Sequence, residues 1–174
     1  MDRRNYIRQM MAASGALIAL PSWARAWKLA DMEQYSSSFN DDEKSILNAV
    51  ADAILPSTHD KPGAKSTGTD LFLQRLFDRC YEGDVQNNIK TQLKALNNKS
   101  KAAYNASFSE TSYENKITLL NAFSTSTIKE EKDFFNLVKS ETIRGFTTCE
   151  EVMTQYLHYK VVPGHYYGCV DVNS

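Results

Sequence analysis

Three features of the sequence predict an all-α fold. Helix-start signals recur along most of the chain, and apolar residues repeat at spacings of three and four. No stretch alternates with period two except near Lys160–Val162. The expected product is a single small helical domain over residues 27–174, with about six helices and an extended, non-helical tail at 158–174.

The elements follow in order. Asn40-Asp41-Asp42-Glu43 is a capping box: Asn40 accepts from the first turn and Glu43 reaches back. Behind it Ile46, Leu47, Val50, Ala53 and Ile54 share one face, and Pro56 stops the helix. Ser57 to Thr69 reads as a loop. Pro62-Gly63 makes a tight turn there, and Gly68 admits a left-handed residue before a cap at Thr69 or Asp70. This loop is either a structural corner between core helices or a docking element. The next helix puts Phe72, Leu76, Phe77 and Cys80 on one face. A third begins near Asp84 and carries Val85, Ile89, Leu93 and Leu96, and a short polar helix is expected over Lys101–Phe108.

Three further boxes, Thr111…Glu114, Thr127…Glu130 and Thr148…Glu151, head the remaining helices. Their apolar positions are Ile117, Leu120 and Phe123, then Phe134, Phe135 and Val138, then Val152 and Tyr156. Gly145, just after Arg144, is expected to end the helix before the last. Beyond His158 the pattern changes. Tyr159, Pro163, Gly164, His165, Tyr166, Tyr167, Gly168 and Cys169 form a segment that cannot be helical and is too apolar for a disordered tail. It packs either on its own bundle or on another protein, and its tyrosines suit an interface.

Residues 1–26 have the grammar of an export signal. A basic start with Arg3, Arg4 and Arg8 is followed by an apolar run from Met10 to Leu20, Pro21 and the triplet Ala24-Arg25-Ala26, with cleavage expected after Ala26. The paired arginines followed by Tyr6-Ile7 resemble a twin-arginine signal. Its eleven-residue apolar run falls short of the roughly 20 residues that span a bilayer. Periplasmic export in the folded state through the twin-arginine translocase is expected, with membrane contact only through the signal or a complex. Such export usually serves cargo whose cofactor is inserted before transport.

The whole chain has 20 Lys and Arg against 21 Asp and Glu; without Arg3, Arg4, Arg8, Arg25 and Asp2 the balance is 16 against 20. No basic run stands out, which argues against a nucleic-acid surface. The three cysteines, Cys80, Cys149 and Cys169, leave an odd thiol in an oxidising compartment. Cys169 can bridge to Cys80 or Cys149, or to another chain. C-x-x-C and C-x-x-C-H are absent, as are G-x-S-x-G, G-x-G-x-x-G, the P-loop and H-E-x-x-H. His59-Asp60 reads as a solvated loop pair, His158 as a packing or interface residue, and His165 as a tail residue within reach of a partner. The residues thus suggest no catalytic, cofactor-binding or metal site in this chain.

Three segments make the chain similar to the gluconate 2-dehydrogenase subunit 3 family. They are the twin-arginine-type start, the run Ala53-Ile54-Leu55-Pro56 through Pro62-Gly63-Ala64 to Gly68, and the ending Val162-Pro163-Gly164-His165-Tyr166-Tyr167-Gly168-Cys169. The second resembles the family signature ADxIIPxTDTPGAxxAGV, with His59 and Thr69 as departures. The resemblance implies a non-catalytic small subunit that escorts and stabilises a flavoprotein partner of the glucose-methanol-choline type. FAD would sit in that partner and haem c in a downstream cytochrome. The ending Gly168-Cys169-Val170 is similar to members paired with glucoside 3-dehydrogenases. A free-standing periplasmic enzyme and a structural helical binding protein are the alternatives.

Overall fold

The predicted capping box opens the first helix. In the computed structural model, which describes residues 36–160 and Gly164, Glu43 N donates to Asn40 Oδ1 at 2.8 Å and Asn40 N donates to Glu43 Oε2 at 3.0 Å. Five α-helices follow in order: α1 (Asp41–Ile54), α2 (Thr69–Cys80), α3 (Gly83–Tyr104), α4 (Tyr113–Ser124) and α5 (Lys129–Thr148). A single π-helical turn, Val152–Tyr156, closes the series. The all-α expectation holds, with no strand among the described residues.

The core is built from the periodic apolar positions. Leu47 and Val50 of α1, Leu73 and Phe77 of α2, and Ile89, Leu93 and Leu96 of α3 are buried, as are Leu120 and Phe123 of α4 and Phe134 and Val138 of α5. Every other element packs on α5. Phe123 and Phe134 meet edge to face at 6.1 Å.

Several expected boundaries move. The cap of α2 is Gly68, at φ +67°, and Thr69 is the buried first helical residue, its hydroxyl 2.9 Å from that of Thr67. On α2 it is Leu73 that is fully buried with Phe77, whereas Cys80 is exposed. The expected short helix at Lys101–Phe108 does not form. Instead α3 continues to Tyr104, and Asn105, left-handed at φ +53°, ends it. Phe108 then returns to the core, its N–H donating to Asn97 Oδ1.

The three later boxes also resolve differently. Ser112 rather than Thr111 caps α4. Helix α5 starts after Ile128 without a side-chain cap. Thr148 ends α5 rather than heading a helix, because its hydroxyl donates back to Arg144 O at 2.8 Å. Gly145 lies inside α5, where a Cβ would meet the Phe72 ring at 2.5 Å; the glycine admits α2 and does not stop the helix.

Glu131 shows how α5 is held at its other end. Its buried carboxylate takes Lys99 Nζ at 2.7 Å, and the same ammonium sits 4.5 Å above the Phe123 ring. The Lys99 hydrogen bond holds the Glu131 carboxyl below the usual glutamate range, against the opposing effect of burial. Its stabilising effect is therefore complete above the ordinary glutamate pKa and is lost as pH falls through the lowered one. Glu131→Gln should cost about 1–2 kcal/mol near neutrality, less than a fully buried pair because Lys99 is half exposed. Urea unfolding at about pH 7 and about pH 3 should show the two proteins converging at the acid end. An equal gap at both values would contradict this role.

Candidate functional site

The Pro56–Gly68 segment is a tightly built corner between α1 and α2. Ala64 N donates to Leu55 O, Thr58 N to Lys61 O and Thr69 N to Ala64 O. Gly63 N is shared between the hydroxyls of Ser57 and Ser66, and Thr67 Oγ1 returns to Gly63 O. Ala64, Thr67 and Thr69 are buried beneath it. Gly63 is required by close approach: a Cβ there would fall 2.3 Å from Ser57 N and 2.6 Å from Leu55 O. Pro56 follows the end of the helix and Gly68 supplies the left-handed step. The tight turn expected at Pro62-Gly63 falls instead at His59-Asp60, closed by the Thr58–Lys61 bridge, and half-buried Pro62 and buried Gly63 follow it.

The tip of the corner is solvated. His59 Nδ1 lies 2.8 Å from Asp60 Oδ1, and both side chains are almost fully exposed. Among the described residues no group of three or more His, Cys, Asp or Glu comes together.

Two open grooves mark the body. One, of about 670 Å³, lies between the start of α1 and the end of α3 and is lined by Asp42, Asn97, Lys101, Ser107 and Glu110. The Ser107 hydroxyl donates to Glu110, and Ser107 O accepts from the backbone of Glu110 and Thr111, which ties these groups into a turn. The other groove, of about 690 Å³, lies between α3 and α5. Tyr81, Val85, Phe134 and Leu137 form its apolar side and Asp84 and Asp133 stand on its rim.

Among the described residues, Tyr156, Leu157 and Tyr159 bring three exposed large hydrophobic side chains together at the end of the bundle. After α5, Leu157 N donates to Val152 O and Tyr159 N to Met153 O, and His158 takes a left-handed φ of +50°. This winding buries Val152 and turns Tyr156, Leu157 and Tyr159 outward; Leu157 is 58% exposed. Their backbone is pinned, so the aromatic surface is ordered before any partner arrives. Tyr156 was expected on a core-facing helix, and Leu157 was not singled out at all. The run Tyr156-Leu157-His158-Tyr159, large residues without alternation, is the signal that marks the patch.

The family profile for gluconate 2-dehydrogenase subunit 3 matches residues 41–164. The chain belongs to the gluconate 2-dehydrogenase subunit 3 family. The match covers α1 to α5, the corner, the π turn and the beginning of the tail. No curated protein and no solved structure matches the chain significantly. No described helix is long and apolar enough to cross a membrane.

Of the interface residues expected from sequence, Tyr159 and Gly164 are described and exposed, Gly164 with φ +79°. Pro163, His165, Tyr166, Tyr167, Gly168 and Cys169 lie outside the described residues, as do the signal residues Arg3, Arg4, Ala24 and Ala26. Cys80 is an exposed thiol and Cys149 a buried one.

The corner gives a direct test. Gly63→Ala should destabilise the domain by about 2–3 kcal/mol, because the added methyl meets backbone that cannot swing away. Ala at exposed Gly83, where nothing lies within 4 Å of the new atom, should change stability far less in the same urea titration. Equal costs would refute the assignment.

Proposed function

We propose that this subunit-3 chain is the non-catalytic small subunit and twin-arginine export escort of a periplasmic FAD-dependent sugar dehydrogenase, a glucoside 3-dehydrogenase. It stabilises a flavoprotein of the glucose-methanol-choline type, whose electrons pass to a c-type cytochrome. The observation that carries the reading is the exposed Tyr156-Leu157-Tyr159 turn within the family match. Large rigid aromatic groups with a polar tip are favoured at interface hot spots. The twin-arginine pattern at Arg3-Arg4 supports the escort role, since one address then serves both chains. The ending Gly168-Cys169-Val170 supports the choice of substrate class. Cys169 is the thiol we assign to a bridge with the flavoprotein.

Two variants test the reading. Arg3→Lys with Arg4→Lys should hold the dehydrogenase activity in the cytoplasm; activity still reaching the periplasm would refute the escort role. Leu157→Ser with Tyr159→Ser should leave the melting of the isolated chain nearly unchanged, because both side chains are already in water. The same pair should weaken association with the flavoprotein about 10–100-fold. Undiminished association would remove this turn as the anchor.

A further inference from the structure

The aromatic turn is too small to hold a stable partner by itself. A large side chain buries about 150–250 Å² when fully covered, so Tyr156, Leu157 and Tyr159, each about half exposed, offer roughly 300 Å² together. A stable protein–protein interface takes about 800 Å² from each partner. A partner held through the turn therefore covers more of this chain.

Helix α5 leads from that end of the bundle back to the groove between α3 and α5. Asn136, Ser140, Ile143 and Thr147, in steps of four, three and four, share one face of it, and all four are exposed. That face lies opposite the stripe of Phe134, Val138, Thr142 and Gly145 that α5 buries. Asn136 and Ser140 line the groove together with Tyr81, Val85, Phe134 and Leu137. The ten residues from Leu137 to Thr147 span about 15 Å of helix axis.

Charge does not oppose covering this face. Its four residues are neutral, and exposed Lys132, one turn before Asn136, bounds it. Neighbouring charges are already engaged: Asp133 lies 3.7 Å from Lys129, Arg144 pairs with Glu141, and Lys139 stands 5.8 Å over the Phe135 ring. At the groove's rim Asp84 accepts from Val85 N at 2.8 Å. A neutral strip with apolar groups within reach has the composition of an interface centre.

We infer that the flavoprotein partner covers the outer face of α5 from the aromatic turn to the groove, where it seats an uncharged segment with one bulky apolar side chain between Tyr81 and Leu137. The inference rests on the proposed function for the partner's identity and adds the surface that receives it.

The test uses the full-length chain and the flavoprotein that co-purifies with it. Ser140→Arg and Asn136→Arg each place a bulky charge at an exposed position, so helical circular dichroism and Tm should be nearly unchanged. Each should raise the Kd for the flavoprotein by at least about tenfold. Asn121→Arg, on the exposed side of α4, should change it by no more than about twofold. Unchanged affinity in both α5 variants would overturn this inference alone, provided that Leu157→Ser with Tyr159→Ser still weakened the complex. An equal loss from Asn121→Arg would also overturn it, because added charge anywhere would then suffice. A parent chain that binds no flavoprotein would overturn the proposed function and this inference together. A dimer of the isolated chain that Ser140→Arg dissociates would assign the face to a second copy and overturn the inference.

Discussion

One face of α5 must fit every other element of the body, and the remaining structure is arranged around that demand. Its buried positions are Glu131, Phe134, Val138, Thr142 and Gly145, in steps of three and four. Each meets a different requirement. Glu131 receives a lysine from α3, and Phe134 meets Phe123 of α4. Thr142 satisfies its buried hydroxyl on Val138 O at 2.6 Å. Gly145 yields its side-chain volume to Phe72 of α2. The contact extends outward, because Arg144 lies over the same Phe72 ring while pairing with Glu141, which accepts from the Tyr81 hydroxyl.

The stripe explains which parts of the fold were legible in the sequence. Helix α1 was, because its cap is local: Asn40 and Glu43 need only each other. The corner was, because Pro56, Gly63 and Gly68 act through backbone geometry that no distant partner modifies. Gly145 was misread, because an invading Phe72 from α2 overrides the local preference of glycine for a helix end. Thr148 was misread for a different reason. A threonine that can cap can also bond back to the carbonyl four residues earlier, as Thr118, Thr142, Thr147 and Thr154 also do here. The length of α3 was underestimated because its last turns carry a polar exposed face, with only Ser100 buried beyond Leu96.

The candidate interface was partly legible. Of the tail residues expected at an interface, Tyr159 is described and exposed. The exposed aromatic surface begins earlier, at Tyr156, because the π turn rotates that side chain out of the helical face it would otherwise share with the core. Residue spacing carries no sign of such a turn. The family match runs past the turn to Gly164.

A folded body with a fixed corner, an interior whose described buried side-chain polar atoms all have hydrogen-bond partners, and an outward aromatic turn suits a chain that serves another. The central claim is that the chemistry belongs to that other chain. The most direct measurement is the absorption spectrum and subunit composition of the tagged full-length chain purified from the periplasm of its host. The account predicts an oxidised-flavin spectrum that travels with a second, larger polypeptide, and a colourless small chain once the two are separated. A colourless preparation holding this chain alone, or a flavin that stays with the small chain after separation, would contradict it.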